Sequence, residues 1–173
     1  MMEELLYWIG QSLGVVAVIL GFLSYQVRTR KKLMLLQTAT TLVFVLHYLL
    51  IGAMSGMALN AVGLLRNIVY SNREKKFFSG RFWPIAFAVI MGFMGLLSWQ
   101  GWYSIFVVVG LVINTLALAL PDPQKIRKSI LITSPLVLTY DAFALSVGGI
   151  IYESVAILSS LVGILRFRKQ KAK

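Results

Sequence analysis

The sequence predicts an all-α membrane protein with seven transmembrane helices. Of its 173 residues, 58% are hydrophobic and only 13% are charged, and the mean hydropathy is +0.81. A soluble domain of this length could not bury so much apolar surface, so a bilayer is the expected solvent. The net charge of +11 then indicates basic loops beside a membrane. It does not indicate nucleic-acid binding, which needs a basic patch on a folded soluble surface.

Seven apolar runs approach the length of about 20 residues that crosses a bilayer as a helix. They are Leu5–Tyr25, Leu33–Ile51, Met54–Tyr70, Trp83–Trp99, Ser104–Leu120, Ser129–Val147 and Ile150–Phe167. The segments GAMSG and VGG predict tight glycine turns after the second and sixth runs. The chain starts with the acidic segment MMEELLYWIG and has no cleavage motif after it, so we expect an uncleaved first span.

Basic residues are distributed unevenly between the two sides of this topology. All 17 Lys and Arg residues fall in the first, third and fifth connections, near the cytoplasmic end of a span, or in the C-terminal tail. The positive-inside rule therefore predicts an outside N-terminus and a cytoplasmic C-terminus. We expect residues 168–173 to form a basic tail against membrane lipids, and Arg66 to extend toward the cytoplasmic phosphates.

The spans group into two similar triplets within one transmembrane domain, residues 1–173. Residues 5–70 and 104–167 each contain three spans, a basic first loop and a tight second loop, and residues 83–99 form a linker helix between them. An odd-numbered repeat keeps its orientation only if one extra helix intervenes, so we predict two parallel three-helix bundles. Aligning the triplets places Asn60 over Glu153 within a polar stripe on one face of each span. The stripe consists of Gly56, Asn60, Gly63 and Asn67 on the third span and of Gly149, Glu153, Ala156 and Ser160 on the seventh. Helix packing explains the glycines of this stripe, but a carboxylate in hydrocarbon costs roughly 2.5–3.5 kcal/mol.

Polar side chains from several spans share one depth. His47, Asn60, Asp141 and Glu153 lie roughly 5–10 Å below the outer helix ends at the rise of an α-helix. Asn114, about 15 Å deep by the same rise, is a candidate floor. We therefore expect a cavity open to the outside, with a substrate-binding site formed by Asn60, Glu153, Asn114, His47, Tyr48, Tyr140 and Asp141.

Structural roles remain open for several of these residues. His47 can bond a backbone carbonyl, Asp141 can pair with His47, and Asn114 can bond a neighbouring helix. No spacing of these side chains matches a metal site, so no metal is expected.

Two segments resemble a known family. HYLLIGAMSGMALNAVGLLRN and IIYESVAILSSLVGILRFRK are most similar to the bacterial inner-membrane YgjV family. The arrangement of three, one and three helices resembles the SWEET, PQ-loop and PnuC-like (MtN3-like) transporters. The resemblance implies a bacterial inner-membrane location and a central pocket facing Asn60 and Glu153, but it names no substrate. SWEETs have proline hinges in both triplets, whereas here only the second triplet has one within a span. This is Pro135, which we expect to break or kink the sixth span.

The predicted function is transport of a small polar solute by alternating access. Glu153 would bind a cationic group or carry a coupling proton. The alternative is a membrane receptor or scaffold that does not transport. No G-x-S-x-G, H-E-x-x-H or paired-aspartate motif appears, so we expect no enzyme activity. The expected partners are the solute and lipids, without a cofactor, and a homo-oligomer stays open.

Overall fold

A computed structural model describes residues 2–168, and these residues form an all-helical bundle. The predicted tail residues Lys169–Lys173 lie outside the described residues. Within the described part, a short 3-10 turn at Lys76–Phe78 precedes the fourth of seven α-helices. The helices are α1 (Met2–Gln26), α2 (Arg30–Leu50), α3 (Met54–Ser71), α4 (Phe82–Leu97), α5 (Ser104–Leu118), α6 (Pro123–Phe143) and α7 (Val147–Arg168). The predicted all-α class is confirmed.

Helix α6 begins earlier than its hydropathy predicted. Asp122 caps it, since its side chain accepts a hydrogen bond from the Gln124 N–H at 2.9 Å, and Pro123 follows at a position that suits proline. The helix therefore starts at Pro123 and not at Ser129. It also continues through Pro135 without interruption, so the predicted break does not occur.

The glycines of the VGG segment do not form the turn that we predicted. The α6–α7 turn lies three residues earlier, at residues 144–146, and contains Leu145 at a φ of 52°, while Gly148 and Gly149 belong to the first turn of α7. A Cβ on Gly148 would lie 2.5 Å from the Cα of Gly14 in α1. These glycines therefore allow α7 to pack closely on its neighbours.

One end of the bundle is rich in arginine, and we call it the basic end. There Arg30, at the start of α2, donates to the carbonyl of Leu118 at the end of α5, at 3.0 Å. Arg127, near the start of α6, donates to the carbonyl of Val27 after α1, at 3.2 Å. These contacts bring the ends of α1 and α5 together with the starts of α2 and α6.

Further helix termini meet at the opposite end of the bundle. The Gln11 amide of α1 donates to the carbonyl of Leu145 before α7, at 3.0 Å. Gln100, between α4 and α5, donates to the carbonyl of Gly52 before α3, at 3.1 Å. Successive helices therefore run in opposite directions between the same two ends.

The helices pack as a ring. Each helix contacts the next in sequence, and the ring closes because α7 packs on α1 and α3 packs on α5. Helix α4 also contacts α3 and α5 and contributes no side chain to the central cavity described below. Six helices therefore surround the interior, and α4 lies outside it.

The interior of the bundle contains many polar side chains among its apolar core residues, and its exterior is apolar. Large apolar side chains of α1 such as Val15 and Ile19 are more than half exposed, whereas Gln37, Thr40 and Asn67 are buried. This distribution suits a lipid surrounding. Within the described residues, length and composition alone mark α1, α2 and α7 as able to cross a membrane, and α4 and α5 are apolar but shorter.

Candidate functional site

A small cavity lies inside the ring of six helices. Its volume is about 50 Å³, which accommodates a few water molecules but not a metabolite. Side chains of α1, α2, α3, α5, α6 and α7 line it. Its polar lining includes Gln37, Asn60, Arg66, Asn114, Ser134 and Glu153.

The structure brings four of the seven predicted site residues to this cavity. They are Tyr48, Asn60, Asn114 and Glu153. The other three are not among its lining residues. They are His47, Tyr140 and Asp141.

Asn60 and Glu153 occupy equivalent depths. Helix α3 begins at Met54 and α7 at Val147, so each of the two residues lies about 9 Å from the end of the bundle opposite the basic end. The Asn60 amide donates to the Gly56 carbonyl of its own helix at 2.9 Å. Glu153 on α7 and Ser134 on α6 both line the cavity as well.

The three remaining predicted residues form a polar layer with Tyr48, between the cavity and the opposite end. Tyr48 Oη donates to Asp141 Oδ1 at 2.7 Å, which ties α2 to α6. Tyr140 Oη accepts from the backbone N–H of Gly56 at 2.9 Å, which ties α6 to α3. The polar layer (His47, Tyr48, Tyr140 and Asp141) therefore joins α2, α3 and α6 on this side of the cavity.

His47 does not pair with Asp141 as one alternative held. Its Nδ1 lies 2.7 Å from the Gly10 carbonyl, and its Nε2 lies 2.7 Å from Ser146 Oγ. A carbonyl oxygen only accepts, so Nδ1 carries a proton. The alternative in which His47 bonds a backbone carbonyl is thus the one observed, and this residue joins α2 to α1 and to the α6–α7 turn.

Another set of hydrogen bonds joins helices between the cavity and the basic end. Gln37 Nε2 donates to Ser24 Oγ at 3.0 Å, and Gln26 Nε2 donates to Ser159 Oγ at 2.8 Å. Hydrogen bonds therefore connect the helices on both sides of the cavity.

The expectation that Arg66 extends to the membrane surface is wrong. Its side chain is only 3% exposed and turns into the bundle. Nη1 donates to Thr115 Oγ1 at 2.7 Å, and Nε and Nη2 donate to Asn67 Oδ1 at 3.1 and 2.9 Å. The Asn67 amide in turn donates to Thr41 Oγ1 at 3.1 Å. Arg66 therefore belongs to the cavity, with neutral partners.

The sequence contained a signal for this site that our reading missed. Arg66 is next to Asn67, which we had placed on the polar stripe, and Thr41 and Thr115 lie at comparable distances from the predicted span ends. One neutral polar residue on the same span and two on facing spans offer an arginine an interior hydrogen-bond network in place of the membrane surface. Gln37 was overlooked in the same way, as a single glutamine in an apolar run.

Comparison with known proteins identifies the family. The family model Imp-YgjV, described as a bacterial inner membrane protein, matches residues 8–171. The chain belongs to the YgjV family. The inner membrane protein YgjV of Escherichia coli (strain K12) is 23% identical over 167 residues, which cover 95% of this chain and 88% of that protein. No solved structure matches the chain. The predicted family and bacterial inner-membrane location are confirmed, and the likeness to SWEET and PQ-loop transporters stays a prediction.

Proposed function

We propose that this YgjV-family protein transports a small polar solute by alternating access around the central cavity. The observation that carries the proposal is the cavity itself: it is polar, it is lined by six helices, and hydrogen bonds connect these helices on both of its sides. A packed structural interior does not need such a cavity, because small apolar residues pack membrane helices well. A transporter needs one, because its solute must be shielded from both sides in turn.

The architecture that fits this function has seven spans, arranged as three, one and three. Helices α1–α3 and α5–α7 form the two parallel bundles, and α4 is the linker. Two contacts between the bundles support this assignment, because α1 packs on α7 and α3 packs on α5. The first and last helices of each bundle therefore contact the other bundle. With the basic end in the cytoplasm, the N-terminus lies outside.

The small size of the cavity indicates which contacts must break during transport. A cavity of about 50 Å³ has to expand before a metabolite enters. Breaking the polar layer, in particular the Tyr48–Asp141 bond, would open it to the outside. Breaking the Gln37–Ser24 bond and its neighbours would open it to the cytoplasm.

Glu153 has the central role in this proposal. It lines the cavity at the depth of Asn60, so it contacts any solute held between the bundles. It binds a cationic group of the solute or carries a coupling proton, because both roles need a carboxylate that reaches the solute and is sheltered from the lipid.

The test is solute flux in proteoliposomes. The protein is reconstituted with a mixture of metabolites inside, and their release is measured by mass spectrometry for the wild type, Glu153→Gln and the control Glu74→Gln. Glu74 is an exposed carboxylate in the α3–α4 connection. We expect release in the wild type and the control, and its loss in Glu153→Gln. Binding of a solute without release would support the receptor alternative, and release unaffected by Glu153→Gln would exclude Glu153 from the site.

A further inference from the structure

Arg66 gives the cavity a fixed positive charge. We propose that the solute carries an anionic oxygen group, a carboxylate or a phosphate, that binds the Arg66 guanidinium. This inference rests on the transport function proposed above, because it assigns a substrate class to the same cavity. Arg66 lines the cavity although its exposed fraction is only 3%.

The guanidinium has donors left for a ligand. An arginine side chain has five N–H groups, and those of Arg66 make three hydrogen bonds with the described residues, one from Nε, one from Nη1 and one from Nη2. Each terminal nitrogen carries two N–H groups, so one donor remains on Nη1 and one on Nη2. A pair of donors on adjacent nitrogens is the geometry that binds a carboxylate or a phosphate in bidentate fashion.

The charge of Arg66 is not neutralised by its hydrogen-bond partners. Both of them, Asn67 and Thr115, are neutral. The backbone of Glu153 lies one to two helical turns nearer the opposite end, offset from that of Arg66 by about 9 Å along the bundle axis. A buried cation without a counter-ion is unfavourable. A bound anion would supply the missing charge.

An unused acceptor elsewhere in the lining points to a ligand independently. Asn114 Oδ1 is buried and has no hydrogen-bond partner among the described residues, although Asn114 lines the cavity. Buried polar atoms of native proteins are nearly always satisfied. A hydroxyl or ammonium group on the same solute would satisfy Asn114 while its anionic group binds Arg66.

The test measures binding separately from transport. Purified wild-type protein is titrated in a thermal-shift assay with L-alanine, lactate, succinate, glycerol phosphate and inorganic phosphate, and with glycerol as the uncharged probe. We expect at least one anionic probe to raise the unfolding temperature, since a ligand that binds only the folded state stabilises it, and glycerol to leave it unchanged. Comparing the carboxylate probes with the phosphate probes shows which of the two groups the protein binds. The proposal would be overturned if glycerol alone raised the unfolding temperature, or if none of the anionic probes raised it.

Two variants separate binding from structure. We expect Arg66→Gln to weaken the affinity for the stabilising anion on the order of tenfold to a hundredfold, because a charge-assisted hydrogen-bond pair is lost. The control is Arg127→Gln, since Arg127 is equally buried but is not among the residues that line the cavity and donates to the backbone carbonyls of Tyr25 and Val27. It should keep the affinity. Equal weakening in both variants would make the effect structural and refute the assignment.

Failure of this inference is distinguishable from failure of the transport proposal. If Arg66→Gln does not fold, Arg66→Lys replaces it, because it keeps the positive charge and should retain anion binding. The titration of the wild-type protein tests anion binding without any variant. Anion binding without flux in proteoliposomes would support the site and remove transport. Flux of an uncharged solute that Arg66→Gln does not slow would support transport and remove the anion site.

Discussion

Removal of the Tyr48 hydroxyl should open the cavity toward the outside. In the observed conformation Tyr48 Oη donates to Asp141 Oδ1 at 2.7 Å, and this buried bond joins α2 to α6 across the polar layer. Tyr48→Phe deletes the bond and keeps the ring that stacks on Phe44 with 5.5 Å between ring centres. The closed conformation therefore loses one hydrogen bond, and its aromatic packing is preserved.

The size of the effect follows from that single bond. A hydrogen bond to a carboxyl group contributes about 1–3 kcal/mol, depending on whether the group is charged. An open conformation does not have this bond, so it is not penalised by the substitution. The open population should rise by about 5- to 150-fold, unless the open state is already dominant.

Cysteine labelling measures this change on a clean background, because the chain contains no cysteine. Asn60→Cys is introduced alone and together with Tyr48→Phe, and a membrane-impermeant thiol reagent is added from outside. We expect faster labelling in the double variant. The matched control is Tyr70→Phe, which removes a tyrosine hydrogen bond, 3.2 Å to the Thr115 carbonyl, nearer the basic end. Equal acceleration by Tyr70→Phe would indicate general loosening, and no acceleration by Tyr48→Phe would refute the gating role of the polar layer.

Three further predictions test the fold, the topology and the buried acid. Gly148→Ala should destabilise the bundle by about 1–3 kcal/mol, because the added Cβ would lie 2.5 Å from the α1 backbone. The control is Gly92→Ala, whose Cβ would point into open space, so this change should be neutral or stabilising. Equilibrium unfolding in mixed detergent micelles compares them. Reporter tags at Glu3 and after Lys173 should locate to opposite sides of the membrane, and a same-side result would contradict seven spans. Glu153→Gln should fold with equal or greater thermal stability, because a neutral amide is less costly to bury than a charge, and an unfolded variant would make this residue structural.

Much of the fold was predictable because hydropathy reports burial in lipid directly. The positions of all seven helices followed from apolar runs, and most boundaries agree within a few residues. The largest error was the start of α6, where the capping pair Asp122–Pro123 sets the boundary and hydropathy does not. The VGG error has a different cause. Glycines mark turns in sequence, but in α7 their small size serves a close contact between helices that only the packed structure reveals.

The candidate site was predictable in depth but not in contacts. The rise per residue of a helix correctly grouped Asn60 with Glu153, because depth depends only on the distance from a helix end. It could not tell which side chains face the cavity and which bond to each other beside it. The pairing of Tyr48 with Asp141, and of His47 with Ser146, depends on how α2, α6 and α7 are rotated. Those rotations follow from packing of the whole ring, which a single sequence does not specify.

The placement of two ionisable side chains argues that the cavity serves a ligand. Arg66 and Glu153 line the same cavity from α3 and α7, and the hydrogen bonds of the Arg66 side chain go to Asn67 and Thr115. If stability alone had determined these positions, apolar residues of similar volume would serve as well or better, since even a paired buried charge often contributes nothing net. Burying two separated charges costs more free energy than burying an ion pair. Their shared access to one cavity gives each a use that packing does not, because a solute with both an anionic group and a donor group can contact them together.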